Sequence, residues 1–88
     1  MTDKGVLHRV LEFASMVAGP ARIPANPGEN TPLRDGGFWL DSLALLELVV
    51  ACEAEFDLDF DPATDLSEAT LATAGSLAAM IASRIARP

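Results

Sequence analysis

In the segment Asp35-Gly36-Gly37-Phe38-Trp39-Leu40-Asp41-Ser42-Leu43, a glycine pair leads into an Asp-Ser-Leu triplet that heads a long apolar and acidic run. This order sets the Ser42 hydroxyl at a helix N-terminus, where backbone N–H groups lack intrahelical partners and carry partial positive charge. Gly36 and Gly37 leave room for a second protein to approach and can adopt positive φ. Nucleophilic catalysis by a serine needs a base within hydrogen-bond reach. The one histidine, His8, falls on another element, off its apolar stripe, and reads as solvated. A serine so placed, with no base, suits covalent attachment better than catalysis.

Other chemistry finds less support. No glycine-rich loop carries a lysine for phosphoryl transfer, and no ligand set suits zinc. The chain is therefore not expected to be an enzyme. Asp57, Asp59, Asp61, Asp65 and Glu68 occupy positions 1, 3, 5, 9 and 12 of a calcium-binding EF-hand loop spanning Asp57 to Glu68. A calcium-binding helical module is thus the alternative function. Against it, the sharp turn at position 6 falls on Pro62, whose φ is locked negative, and Thr64 stands where an apolar residue is usual. No metal site is assigned.

Hydrophobic spacing defines the elements that must hold Ser42. Thr2 or Asp3 can cap a first helix running to about Ala18, with Val6, Leu7, Val10, Leu11, Ala14 and Val17 on one face. Gly19-Pro20 ends it. Residues 19 to 40 then form a long connection, with Ile23, Leu33, Phe38, Trp39 and Leu40 as its apolar anchors. The second helix runs from Ser42 to about Phe56, and Leu45, Leu48, Val49, Cys52 and Phe56 recur at core spacing. A second apolar set on that helix, Leu43, Leu46 and Val50, lies among Glu47, Glu53 and Glu55. An apolar row rimmed by one sign of charge reads as a docking surface for another protein. After a loop anchored by Leu58 and Phe60, Asp65 can cap a short third helix over about Leu66 to Thr70. Thr73 can cap a last helix with Ala74, Leu77, Ala78, Ile81 and Ile85 inward, and Arg84 and Arg87 at its C-terminal end. The expected fold is all-α: a small four-helix bundle of three longer helices and one short one, with a long loop between the first two.

Size and charge bound the rest. The 88 residues suffice for a single domain over 1–88. The formal charge is −7, and between Asp35 and Ser83 there are ten carboxylates and neither lysine nor arginine. Such a surface repels nucleic acid and anionic membranes and steers basic protein partners. Cys52, the single cysteine, reads as a buried apolar residue. With neither a signal segment nor a membrane-length apolar run, a cytoplasmic location is expected.

The segment around Ser42 resembles the attachment motif of acyl carrier proteins, D-[LS]-G-x-D-S-L followed by an acidic helix. The likeness extends from about Leu7 to Ile85. Leu33 lies where these carriers bury an apolar residue, Ala51-Cys52-Glu53-Ala54-Glu55-Phe56-Asp57 is similar to their A-L-E-E-E-F-D, and Leu71-Ala72-Thr73-Ala74 to the start of their final helix. The resemblance implies a 4′-phosphopantetheine arm on Ser42, flanked by Asp41 and Leu43, whose thiol holds an acyl group as a thioester. A phosphodiester there suits the field of the helix N-terminus, and Asp41 can cap the helix or help bind a metal ion carried by the modifying enzyme. Leu43, Leu46, Glu47, Val50 and Glu53 match the family's partner-recognition helix. The implied partners are a phosphopantetheinyl transferase and acyl-loading and acyl-processing enzymes, met by a monomer. Two extra residues separate Asp35 from Asp41, with Phe38-Trp39 filling the gap, which points to a specialised carrier of polyketide, fatty-acid-like or related secondary metabolism. Peptidyl carriers usually show G-G-x-S and a less acidic second helix, so the acyl class is preferred. A start at Met1 and an end just past the last helix suggest a free-standing carrier.

Overall fold

The computed structural model describes residues 4–85. Among them are three α-helices and no strand: α1 (Lys4–Ala18), α2 (Ser42–Phe56) and α3 (Ala74–Ile85). A 3-10 turn, Pro20–Arg22, follows α1, and a lone bridge joins Pro32 to Thr73. The expected cap at Thr2 or Asp3, and Arg87, lie outside the described residues.

α1 packs on both α2 and α3. It does so because Val6, Val10 and Ala14 repeat every fourth residue and lie fully inside, with Leu7, Leu11 and Val17 partly covered beside them. Leu45, Leu48, Val49 and Cys52 from α2 and Ala74, Leu77, Ala78 and Ile81 from α3 complete the helical core. Gly19, at φ +83, closes α1 with its N–H on the Ser15 carbonyl. α3 opens on a reciprocal cap in which Thr73 Oγ1 accepts the Ser76 N–H and Ser76 Oγ accepts the Thr73 N–H, each at 3.0 Å.

The expected short helix over Leu66–Thr70 does not form. Residues 62–72 are turns, because polar side chains bond the backbone locally instead. Asp61 Oδ1 accepts from Ala63 N–H, and Ser67 Oγ accepts from Thr70 N–H. Asp65 caps no helix: it accepts the Asp61 N–H and pairs with Arg84 in the last turn of α3. Three anchor assignments are also corrected. Ile23, Trp39 and Ile85 are exposed, whereas Leu33, Phe38, Leu40 and Phe60 are buried and extend the core into the connections. Leu58 is half-buried.

Candidate functional site

The approach to Ser42 is a tightly bonded loop. Leu33 N–H donates to the Ala72 carbonyl and Ala74 N–H to the Thr31 carbonyl, stitching residues 31–33 to the start of α3. The chain then doubles back, with Phe38 N–H on the Pro32 carbonyl and Leu40 N–H on the Leu33 carbonyl, both at 3.0 Å. The two glycines serve different ends. Gly36 turns at φ +88, while Gly37 is buried so close to Pro32 that a Cβ would collide with its carbonyl oxygen. Gly37 is therefore a packing requirement and not free space for an approaching enzyme. Phe38 and Leu40, buried on either side, fix the direction in which the chain enters α2.

Asp41 is the N-cap of α2. Its backbone is extended (φ −81, ψ −178), its Oδ1 accepts the Ala44 N–H at 2.8 Å, and its carbonyl accepts the Leu45 N–H at 2.8 Å. Ser42 is the first helical residue, exposed, and its side chain hydrogen-bonds to none of the described residues. The carboxylate that could have held the hydroxyl is thus engaged with the backbone, leaving Oγ in solvent beside the positive end of a helix dipole. These residues fit a covalent phosphodiester: an accessible oxygen, no steric cover, and a favourable field.

α2 is apolar on two sides, and burial separates them. One side is the core face already described. Leu43, Leu46 and Val50 lie on the other, 66%, 57% and 53% exposed, with Glu47 exposed between them. Spacing of three and four residues makes these one row leading away from Ser42. Glu53 at its far end is half-buried, and its Oε2 accepts the Phe60 N–H at 2.9 Å. It thereby ties the end of α2 to the following loop, where Asp57 turns left-handed at φ +53.

The acidic loop lends the calcium reading no support. Among the described residues, no group of three or more His, Cys, Asp or Glu side chains is arranged to hold a metal ion. Asp61 and Asp65 are committed to backbone N–H groups, and Asp65 also to Arg84. His8 stays on α1, 3.3 Å from Glu12.

Two clefts flank the loop. One is lined by Pro32, Arg34, Asp35, Leu45, Leu66, Glu68, Leu71 and Ala72. The other lies between residues 21–24 and Gly36, Gly37 and Trp39, and includes Arg22, whose Nη1 donates to the Trp39 carbonyl at 3.4 Å. Sequence reasoning missed Arg22, and no local pattern pairs it with residue 39.

The sequence profile of the phosphopantetheine attachment site matches residues 12–81. No curated protein sequence and no solved structure matches the chain.

Proposed function

The chain belongs to the phosphopantetheine-attachment family, and from that premise we propose that Ser42 is the attachment residue of an acyl carrier protein. Domains of this family are carriers rather than enzymes, carry covalent 4′-phosphopantetheine, and meet phosphopantetheinyl transferases and acyl-processing enzymes. When attached, the group supplies a terminal thiol that holds cargo as a thioester on a long flexible arm. What this chain's residues do is position and advertise that arm. Asp41 fixes the first turn of α2, so the Ser42 Oγ projects from a rigid helix end. The dipole of α2 favours the phosphodiester's negative charge. Leu43, Leu46 and Val50, with the Glu47 carboxylate, present an apolar and acidic row to incoming enzymes, and Glu53 braces its lower end. A tethered cargo then meets each enzyme at high effective concentration once docking has occurred.

The observation that carries this reading is the exposed, uncommitted Ser42 hydroxyl beside an Asp41 whose side chain is occupied as a cap. The cargo class is acyl, in polyketide, fatty-acid-like or related secondary metabolism. The acidity of α2 and the Phe38-Trp39 insertion support that class. We read residues 1–88 as a single carrier domain acting as a monomer in the cytoplasm; no described helix is long and apolar enough to cross a membrane. Incubation with coenzyme A, magnesium and a broad-specificity phosphopantetheinyl transferase should add one phosphopantetheine by intact mass, and Ser42→Ala should abolish the gain. A full gain by that variant overturns the assignment.

A further inference from the structure

The groove lined by Ala21, Arg22, Ile23, Pro24, Gly36, Gly37 and Trp39 includes no residue of α2. Its chief residue is held at a cost. Trp39 is 55% exposed between two buried neighbours, Phe38 and Leu40, and its backbone is left-handed at φ +55. For a residue other than glycine that conformation costs about 1–2 kcal/mol. The loop enforces it through backbone bonds: Trp39 N–H donates to the Arg34 carbonyl at 2.9 Å, and its carbonyl accepts from Arg22. The indole N–H has no partner among the described residues. So the loop holds a large apolar ring in solvent beside exposed Ile23 and a guanidinium, without the burial that normally offsets such strain.

We propose that this groove is a resting place for the phosphopantetheine arm, an inference that rests on Ser42 being its attachment point. Three peptide steps separate Trp39 from Ser42, so their Cα atoms lie within about 11 Å of each other. A tethered arm reaches the groove at millimolar effective concentration, and weak contacts suffice to hold it. The chemistry matches along its length. The branched methyl carbons of the arm suit Trp39 and Ile23, its amides suit the indole N–H, and its phosphodiester suits the Arg22 guanidinium. The cleft on the other side of the loop sets two carboxylates, Asp35 and Glu68, against one guanidinium, Arg34, and so suits a phosphodiester less than the Arg22 groove, which has no carboxylate in its lining.

Trp39 is the sole tryptophan and the chain has no tyrosine, so its emission reports on this groove alone. Converting apo protein to holo should lower acrylamide quenching of Trp39 about twofold, as an arm covers the open half of the ring. Ile23→Asp, at an exposed position, should gain the same mass but show no such protection. A nitroxide on the arm's thiol should broaden the Trp39 indole and Ile23 methyl resonances more than those of Leu66 and Leu71. Mass gain with unchanged quenching overturns the groove and leaves the attachment site standing, as does stronger broadening at Leu66 and Leu71. Protection that persists in Ile23→Asp also overturns it. No mass gain in the wild type removes both readings.

Discussion

Cys52 is the one thiol of the polypeptide, and its position decides how cleanly an added thiol can be read. It is fully buried in the core face of α2, and burial, with a smaller contribution from the Glu55 charge, pushes its pKa up to about 12. The folded state therefore favours the protonated thiol. Its contribution to stability is complete below the unfolded value of about 8.5 and is lost as pH rises toward the folded one. Near neutral pH the native apo protein should take up no maleimide, the holo protein one, and the denatured apo protein one, all by intact mass. Labelling of native apo protein at the holo rate would place Cys52 at the surface. The burial of this residue was legible in its register with Leu45, Leu48 and Val49. The fates of Phe38 and Trp39 were not, since two adjacent aromatics in a loop carry no periodicity. A left-handed turn at residue 39 sends one ring inward and leaves the other in water.

At the scale of the element, α2 shows where pattern reading succeeds and where it needs the fold. Apolar residues surround the helix, so spacing alone separated two faces without saying which was covered. The carboxylates among Leu43, Leu46 and Val50 marked the open one, and its exposure agrees. Glu53 differs from the other carboxylates of the row, because its bond to Phe60 depends on a loop that returns only after the helix has ended. The short helix expected at Leu66–Thr70 failed for a local reason: serine, threonine and aspartate there bond nearby backbone more readily than they support a helical turn. If the open row is the docking face, Leu46→Asp should lower kcat/KM for loading by the transferase by about 30-fold, the scale of a central apolar contact at about 2 kcal/mol. Glu47→Lys should lower it less, mainly through slower association. Both residues are exposed, so thermal midpoints should hardly move. Unchanged loading in both variants would take α2 out of the interface.

Over the whole molecule, the charge pattern matters more than any one pair. Arg9 reaches from α1 to Glu55 on α2, with two bonds of 3.0 Å, and its hydrogen bonds hold the Glu55 carboxyl below its ordinary range. Arg84 engages Asp65 from the far end of α3. Among the described residues these are the arginines that neutralise carboxylates lying between Asp35 and Ser83, and no ion pair engages Asp35, Asp41 or Glu47. Asp35, Asp41 and Glu47 therefore leave open negative charge along the start of α2, near the hydroxyl that a partner enzyme must find. Exposed pairs such as Arg9–Glu55 add little to stability and are weakened by salt, so salt should act chiefly on encounter. Raising ionic strength from roughly 0.05 to 0.5 M shortens the screening length several-fold and should reduce kcat/KM for loading about tenfold, with kcat nearly constant. The same change should leave the helical circular dichroism intact, since the core that sets the fold is apolar. A loading rate indifferent to salt would mean that the acidic face does not steer the partner, and recognition would then rest on the apolar row alone.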